Sequence, residues 1–151
     1  MAARDGDGWV HCGCGSKHWG LHGAAGLLLI RDGQILMQHR APWVHNGDTW
    51  GIPGGARDSH ETIIEGALRE AQEEIGIDSA HITPLTTHLD DHGHWRYDTV
   101  IALASSHLTA LAANEESHEV RWVAVEEVEL LNLHPSFANN WPALRILIEQ
   151  L

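Results

Sequence analysis

From Asp58 to Gly76 the chain carries two stripes at helical period, and this segment limits what the rest can become. At roughly 100° per residue, Ile64, Ala67, Leu68, Ala71 and Ile75 fall on one arc, which requires an apolar partner surface. Glu70, Glu73 and Glu74 fall together on the neighbouring arc. Asp58, with Glu61 three residues on, has capping-box spacing, and Gly76 stands where a left-handed C-cap belongs. Arg69 is four residues from both Glu65 and Glu73 and can pair with either. The spacing predicts one helix from about Asp58 to Ile75, apolar on one side and lined with carboxylates beside it.

The partner surface is legible as strands. Ala24–Ile30 and Gln34–His39 are apolar runs separated by Arg31-Asp32-Gly33, a hairpin turn signal. Trp43–Gly55 holds Pro, Asn-Gly and Gly-Gly and reads as a loop with an extended piece at Trp50-Gly51-Ile52. Ile82–Leu89 and Tyr97–Ala104 flank the turn-like Asp90-Asp91-His92-Gly93, and Val120–Val125 is a further strand. Pro142 suits the first turn of a terminal helix whose Leu144, Leu147, Ile148 and Leu151 share a face. Strands mixed with two helices predict an α/β fold, a sheet covered by helices on both faces. The 151 residues fit one domain able to bury a core without disulfides. Residues 1–22 stand apart: they are rich in Gly and His, hold both cysteines, and lack an apolar period. The organisation expected is this segment followed by one domain over residues 23–151.

Charge excludes some functions. With histidines neutral the net charge is −12, nine Lys plus Arg against 21 Asp plus Glu. Such a surface repels a nucleic-acid polymer, whose binding draws on Lys/Arg clusters. A nucleotide is not excluded, because a divalent cation can bridge acidic side chains to phosphate. The longest apolar run, Gly26–Ile30, is far short of a bilayer span, so no membrane partner is expected. No secretory leader is visible, and a cytoplasmic setting is the default.

Three carboxylates on one helical arc repel one another, at a cost of about 0.2–0.5 kcal/mol per like-charged pair. A cation relieves this, and hard oxygen ligands favour magnesium, manganese or calcium over zinc. Taken alone, the glutamates read more readily as a solvated acidic face, the ordinary fate of a charge run. The neighbouring residues decide between the two. From Gly55 there are five residues to Glu61 and seven more to Arg69-Glu70, followed by Ala71, Gln72, Glu73-Glu74, Ile75, Gly76 and Ile77. This resembles the Nudix box, Gly-x5-Glu-x7-Arg-Glu-U-x-Glu-Glu-x-Gly-U with U apolar, and every fixed position matches. Ala71 is smaller than the residue usual at the first U. Pro53-Gly54-Gly55 ahead of the box is also typical of the family.

A resemblance to the Nudix hydrolases, as a small MutT-like member, implies an α/β/α sandwich with a mixed sheet and the box helix on one face. It implies Glu70, Glu73 and Glu74 as ligands of Mg2+ or Mn2+, with the Gly54 carbonyl a further ligand. Arg69 would orient the glutamates and Glu61 would brace the loop. The implied reaction is attack of water on a phosphorus of a pyrophosphate linkage in a nucleoside diphosphate derivative. The general base would be Glu70 or a glutamate from a later loop. Nucleoside triphosphates, damaged ones included, are the leading substrates; ADP-ribose or a nucleotide-sugar is the second reading, and a ligand-binding module without turnover the third. The oligomeric state is left open between monomer and homodimer.

Other side chains compete for roles. In Asn114–Glu119, Glu116 is the choice for an extra metal-directed carboxylate, with Glu115 and Glu119 as rivals; a solvated loop is the bland reading. Arg40, at a strand end, could reach substrate phosphates or be an exposed structural Arg. Trp95 and Tyr97 could stack on a base, although alternating strand aromatics are more often core; Trp50 and Trp122 read as packing. Cys12 and Cys14, with His18 and His22, could bind zinc. Against this, the one-residue gap between the cysteines is shorter than the usual ligand gap, and a His-rich terminus is commonly a loose tail. A disulfide between them is poorer still in a reducing compartment. Residues 1–22 are therefore expected to be dispensable for the chemistry.

Overall fold

The structure is a computed structural model that describes residues 4–112 and 117–151. Two short strands, β1 (Trp9–His11) and β2 (Lys17–Trp19), form an antiparallel ribbon inside the segment that showed no period. The expected hairpin comes next as β3 (Ala24–Arg31) and β4 (Gln34–Arg40). Its turn holds Asp32 at φ 53° and Gly33 at φ 74°, the left-handed pair a type I′ connection needs. The two strands pair at the turn end, Ile30 with Ile35 and Arg31 with Gln34. Beyond that β3 takes new neighbours, β6 (Gly54–Ala56) and β8 (Arg96–Ala104), while β4 takes β5 (Trp50–Gly51) and β9 (Ser117–Ala124). The strand β7 (Ile82–Asp91) completes a second hairpin with β8. β3 and β8 run parallel from Ala24↔Tyr97 to Ile30↔Leu103, and the other pairs are antiparallel, so the seven-stranded sheet is mixed.

Side-chain alternation along the central strands feeds two cores. Leu27, Leu29 and Leu36 point to one face and meet Ala67, Ala71 and Ile75 of α1 (Ile63–Ile75). Leu28, Ile35 and Met37 point to the other and meet Phe137, Trp141 and Leu144 of α2 (Pro135–Glu149). Each fully buried Leu or Ile contributes about 1.5–3 kcal/mol of transfer free energy, and both helices are held chiefly in this way. Ala71 is fully buried against the sheet, where its small side chain lets α1 lie close. Trp50 is buried with Arg121 over its ring at 4.8 Å, and Trp122 packs on the α1-side core under Arg31.

Both helix starts differ from the sequence reading. α1 begins at Ile63, with Thr62 as N-cap; the Glu65 N–H donates to Thr62 Oγ1 at 3.1 Å and the Thr62 N–H to Glu65 Oε1 at 2.9 Å. Asp58 and Glu61 keep half of the expected box, the Asp58 N–H donating to Glu61 Oε1 at 2.9 Å, but in a turn before the helix. Their carboxylates are engaged elsewhere: Asp58 accepts from the Gly6 N–H and Glu61 from Arg69. Of the expected apolar arc, Ala67, Leu68, Ala71 and Ile75 pack on the core, but Ile63 joins them in place of Ile64, which is 38% exposed. Gly76 caps the helix at φ 65°, as expected. α2 starts seven residues before Pro142, because Pro135 already occupies the position where a missing N–H costs nothing. Pro142 lies inside the helix; Leu144, Leu147 and Ile148 face the core, but Leu151 lies beyond the helix and is exposed.

Replacing Thr62 with Ala removes one half of the observed capping box and should lower unfolding free energy by about 1 kcal/mol. Urea titration should show a reduced midpoint at unchanged slope. An unchanged midpoint would show that the cap is not a stabilising element.

Candidate active site

The acidic arc of α1 is organised chiefly by Arg69. Arg69 Nε and Nη2 donate to the two oxygens of Glu61 at 2.6 and 2.9 Å, a two-pronged pair that joins the helix to the loop before it. Its Nη1 donates to Glu70 Oε1 at 3.0 Å and lies 3.5 Å from Glu73, and Nη2 also reaches the Ala56 carbonyl at 3.0 Å. Hydrogen bonding to Glu61 raises the Arg69 pKa, and the same contact holds the Glu61 carboxyl below its ordinary value. Of the two partners four residues from Arg69, Glu73 is in range while Glu65 serves the helix cap.

Glycines let the carboxylates approach the sheet. A Cβ on Gly55 would lie 2.6–2.8 Å from the Glu70 carboxyl group, so only a hydrogen fits there. Glu74 is buried, and its Oε2 accepts from the Gly54 N–H at 3.3 Å. Glu73 is not gathered with them; its Oε1 pairs with Arg4 at 2.6 Å. Tyr97 lies over the same backbone, its hydroxyl against Gly26 and Gly54. Burial, then the negative charges of Glu74 and Glu70, push the Tyr97 phenol well above its ordinary pKa.

On the other side of β6, Gly54, Gly55 and Ala56 form one wall of a cavity of about 470 Å³. Its remaining walls are Arg40, Tyr97 and Thr99 from the sheet, Phe137, Asn140 and Leu144 from α2, and residues of the first ribbon. Two Arg40 donors, Nε and Nη2, are committed to the His45 carbonyl at 3.1 and 3.0 Å. Asn140 is fixed, donating to Asp90 at 2.9 Å while its oxygen faces His88. His134 caps α2 by accepting from the Ser136 N–H on Nδ1, and burial together with the Arg40 and His45 charges lowers its pKa to about 4.

Residues 1–22 were expected to be dispensable for the chemistry, whatever their role in packing. The structure places Trp9, Ser16, Lys17, His18 and Trp19 in the cavity wall, and Arg4 reaches Glu73. Composition was the only signal: a concentration of Trp and His with no period to place them. Trp95 and Tyr97 both line the cavity, but one face of the Trp95 ring is covered by His18, stacked at 4.2 Å. Donor atoms of Cys12, Cys14 and His18 lie within 4.8 Å of one another; His22 is not among them. Glu115 and Glu116 lie outside the described residues, and Glu119 is exposed on β9, 3.3 Å from Arg121. Asp90, Asn140 and His134 carried no sequence signal of a site.

A carboxylate helix braced by arginine against a glycine strand, on a mixed sheet between two helices, is the arrangement expected of a Nudix pyrophosphohydrolase. The chain belongs to the Nudix family: the NUDIX domain model matches residues 20–144. A protein of Mycobacterium tuberculosis named "Putative 8-oxo-dGTP diphosphatase 3" is 49% identical over 152 residues, covering 93% of this chain and 70% of that one. A nucleoside triphosphate pyrophosphatase/Nudix hydrolase fusion protein of Bifidobacterium longum is 43% identical over 97% of this chain, which spans 32% of the fusion. Among solved structures, the Nudix hydrolase RenU of M. smegmatis superposes with a TM-score of 0.88 at 45% identity, covering 97% of each chain.

The depressed pKa of His134 makes stability depend on pH. The unfolded chain takes up the His134 proton near pH 6.5 and the folded one only near 4. Folding stability should therefore fall as pH drops through that window and be unaffected above it. A His134→Asn variant keeps a capping side chain but loses the titration, so its stability relative to wild type should improve between pH 6.5 and 4. Parallel stability curves for the two proteins across that range would refute the assignment.

Proposed function

We propose that the chain hydrolyses nucleoside triphosphates, oxidatively damaged ones included, to the monophosphate and pyrophosphate. The observation that carries this reading is the junction at Gly54–Ala56, where the cavity and the Arg69-braced glutamates meet across one strand. Aromatic rings and fixed amide and carboxylate groups suit a base, and the acidic arc suits the phosphates through a cation. The names of the M. tuberculosis and B. longum relatives support the same substrate class.

The donor set fits Mg2+ or Mn2+: carboxylate oxygens of Glu70, Glu73 and Glu74, with the Gly54 carbonyl, are hard ligands, and Gly55 leaves the Glu70 carboxylate its place. A bound divalent cation neutralises charge on the phosphate oxygens and eases deprotonation of the attacking water. Water adds to a phosphorus of the linkage, the new P–O bond forms as the bridging P–O bond breaks, and the bridging oxygen leaves on the departing phosphate. Glu70, or a glutamate of the 114–119 segment such as Glu116, takes the proton of the water. Arg69 positions Glu70 and Glu73, Glu61 holds Arg69, and Arg40 orients phosphate at the cavity wall. Glu73 must exchange Arg4 for the cation, which couples the N-terminal residues to metal binding.

The direct test is a release assay over a nucleotide panel with magnesium, with products separated by chromatography. Triphosphates should yield monophosphate and pyrophosphate; preferential cleavage of ADP-ribose or a nucleotide-sugar would move the substrate assignment to that class. Glu73→Gln or Glu74→Gln should reduce turnover by about 100- to 1,000-fold. Undiminished hydrolysis with chelator present, or wild-type rates in both variants, would sink the proposal.

Gly55→Ala probes the Glu70 position without touching a carboxylate. Its methyl group displaces the Glu70 side chain, so turnover should fall by about a hundredfold while the protein remains folded by circular dichroism. Wild-type turnover in this variant would remove Glu70 from the reacting centre.

A further inference from the structure

We infer that the first ribbon carries a second metal site, chemically distinct from the carboxylate helix, in which Cys12, Cys14 and His18 hold one zinc-class ion that fixes a wall of the cavity. The site stands independently of the proposed substrate; only its kinetic consequence rests on that reading.

The donor atoms are already gathered. The two thiols and the imidazole lie with those atoms within 4.8 Å of one another, and Cys14 Sγ is 3.2 Å from His18 Nε2. A tetrahedral ion with bonds of about 2.3 Å to sulfur and about 2.0 Å to nitrogen needs ligand separations of roughly 3.5 Å, so little movement is required. The short gap between the cysteines is accommodated by the turn. The Gly15 N–H donates to the Cys12 carbonyl at 3.2 Å, Gly15 sits at φ 96°, and the Cys12 N–H closes on the Ser16 carbonyl at 3.0 Å. The Cys12 thiol donates to the His92 carbonyl at 2.9 Å, and its proton is the one a metal would replace. A water would take the fourth position.

The ribbon also needs an anchor. It has two strands of three residues, with Trp9 and Trp19 about half exposed, and such a piece cannot hold itself by burial. His18 is already oriented: it stacks on Trp95 at 4.2 Å with 7° between planes and meets His92 edge-on at 4.6 Å. Outer contacts of this kind fix a ligand ring for its metal. His18, Trp95 and His92 also line the cavity, as do the flanking Lys17 and Trp19. Thiolate and imidazole ligands select zinc over magnesium, whereas the glutamates of α1 select the reverse. The two sites therefore load independently.

The test uses the untagged full chain under reducing conditions. Stripped protein is equilibrated with one equivalent of zinc, desalted and analysed by mass spectrometry for bound metal, and a parallel sample is titrated with cobalt. We expect one ion per chain and a near-ultraviolet sulfur-to-cobalt charge-transfer band, which glutamate or histidine sites cannot produce. Cys14→Ser, at an exposed position, and His18→Ala should each weaken binding by at least about tenfold. Glu73→Gln should leave the cobalt band unchanged, separating this site from the carboxylates. With magnesium present, Cys14→Ser should raise KM several-fold and keep kcat within a few-fold. Absence of the cobalt band, or stoichiometric zinc retained in both Cys14→Ser and His18→Ala, would overturn the site. A normal cobalt band with unchanged KM in Cys14→Ser would overturn its link to the cavity and leave the proposed reaction untouched.

Discussion

The site depends on one guanidinium placed among carboxylates that would otherwise repel one another. Arg69 contacts Glu61, Glu70 and Glu73 and approaches Asp58 to 4.0 Å, with its own side chain 17% exposed. At that burial the charge interactions are less screened than on an open surface, and an unpaired member would be costly. A lysine could not replace it, because the planar fork makes the paired contact to Glu61 while its third nitrogen serves Glu70 and Glu73. The contact to the Ala56 carbonyl extends this to the backbone, so the charge that orders the glutamates also fixes α1 against β6.

That contact explains why the glycines before α1 carry so much of the geometry. β6 pairs with β3 on one edge and receives Glu70 and Glu74 from the helix. Its other side is the cavity wall. Gly54 and Gly55 carry no side chains, so the Tyr97 hydroxyl and the Glu70 carboxyl can both come close to this backbone. Tyr97 presses its hydroxyl onto the same stretch from the cavity side, raised in pKa by burial and by the two glutamates beyond. Its phenol stays neutral there, and adds no charge to a site already rich in carboxylate.

Legibility in the sequence followed periodicity and fixed spacing, and ended where those ended. The Asp32-Gly33 hairpin, the strands around Asp90–Gly93 and the α1 C-cap at Gly76 were readable because each has a local cause. The helix starts were misplaced because capping signals were duplicated. Asp58/Glu61 and Thr62/Glu65 both have the right spacing, and only tertiary contacts, Gly6 to Asp58 and Arg69 to Glu61, decide which pair caps. Pro135 and Pro142 posed the same choice for α2. The box residues and their neighbours at Gly54-Gly55 could be named through the resemblance to the Nudix box, whereas the glutamates by themselves favoured a solvated face. Arg4, Asp90, Asn140 and His134 could not, since each is brought to the site by a contact distant in sequence.

The N-terminal residues carry that asymmetry into function. They touch both ends of the site, Arg4 at Glu73 and the first ribbon at the cavity, although they share no period with the strands behind them. The matched NUDIX region begins at residue 20, after the ribbon, whereas the RenU structure superposes over 97% of the chain. The ribbon's share of the cavity wall, Trp9, Lys17, His18 and Trp19, comes from residues that precede the matched region. The cavity is therefore walled jointly by the strands of the matched domain and by a segment that no sequence period places.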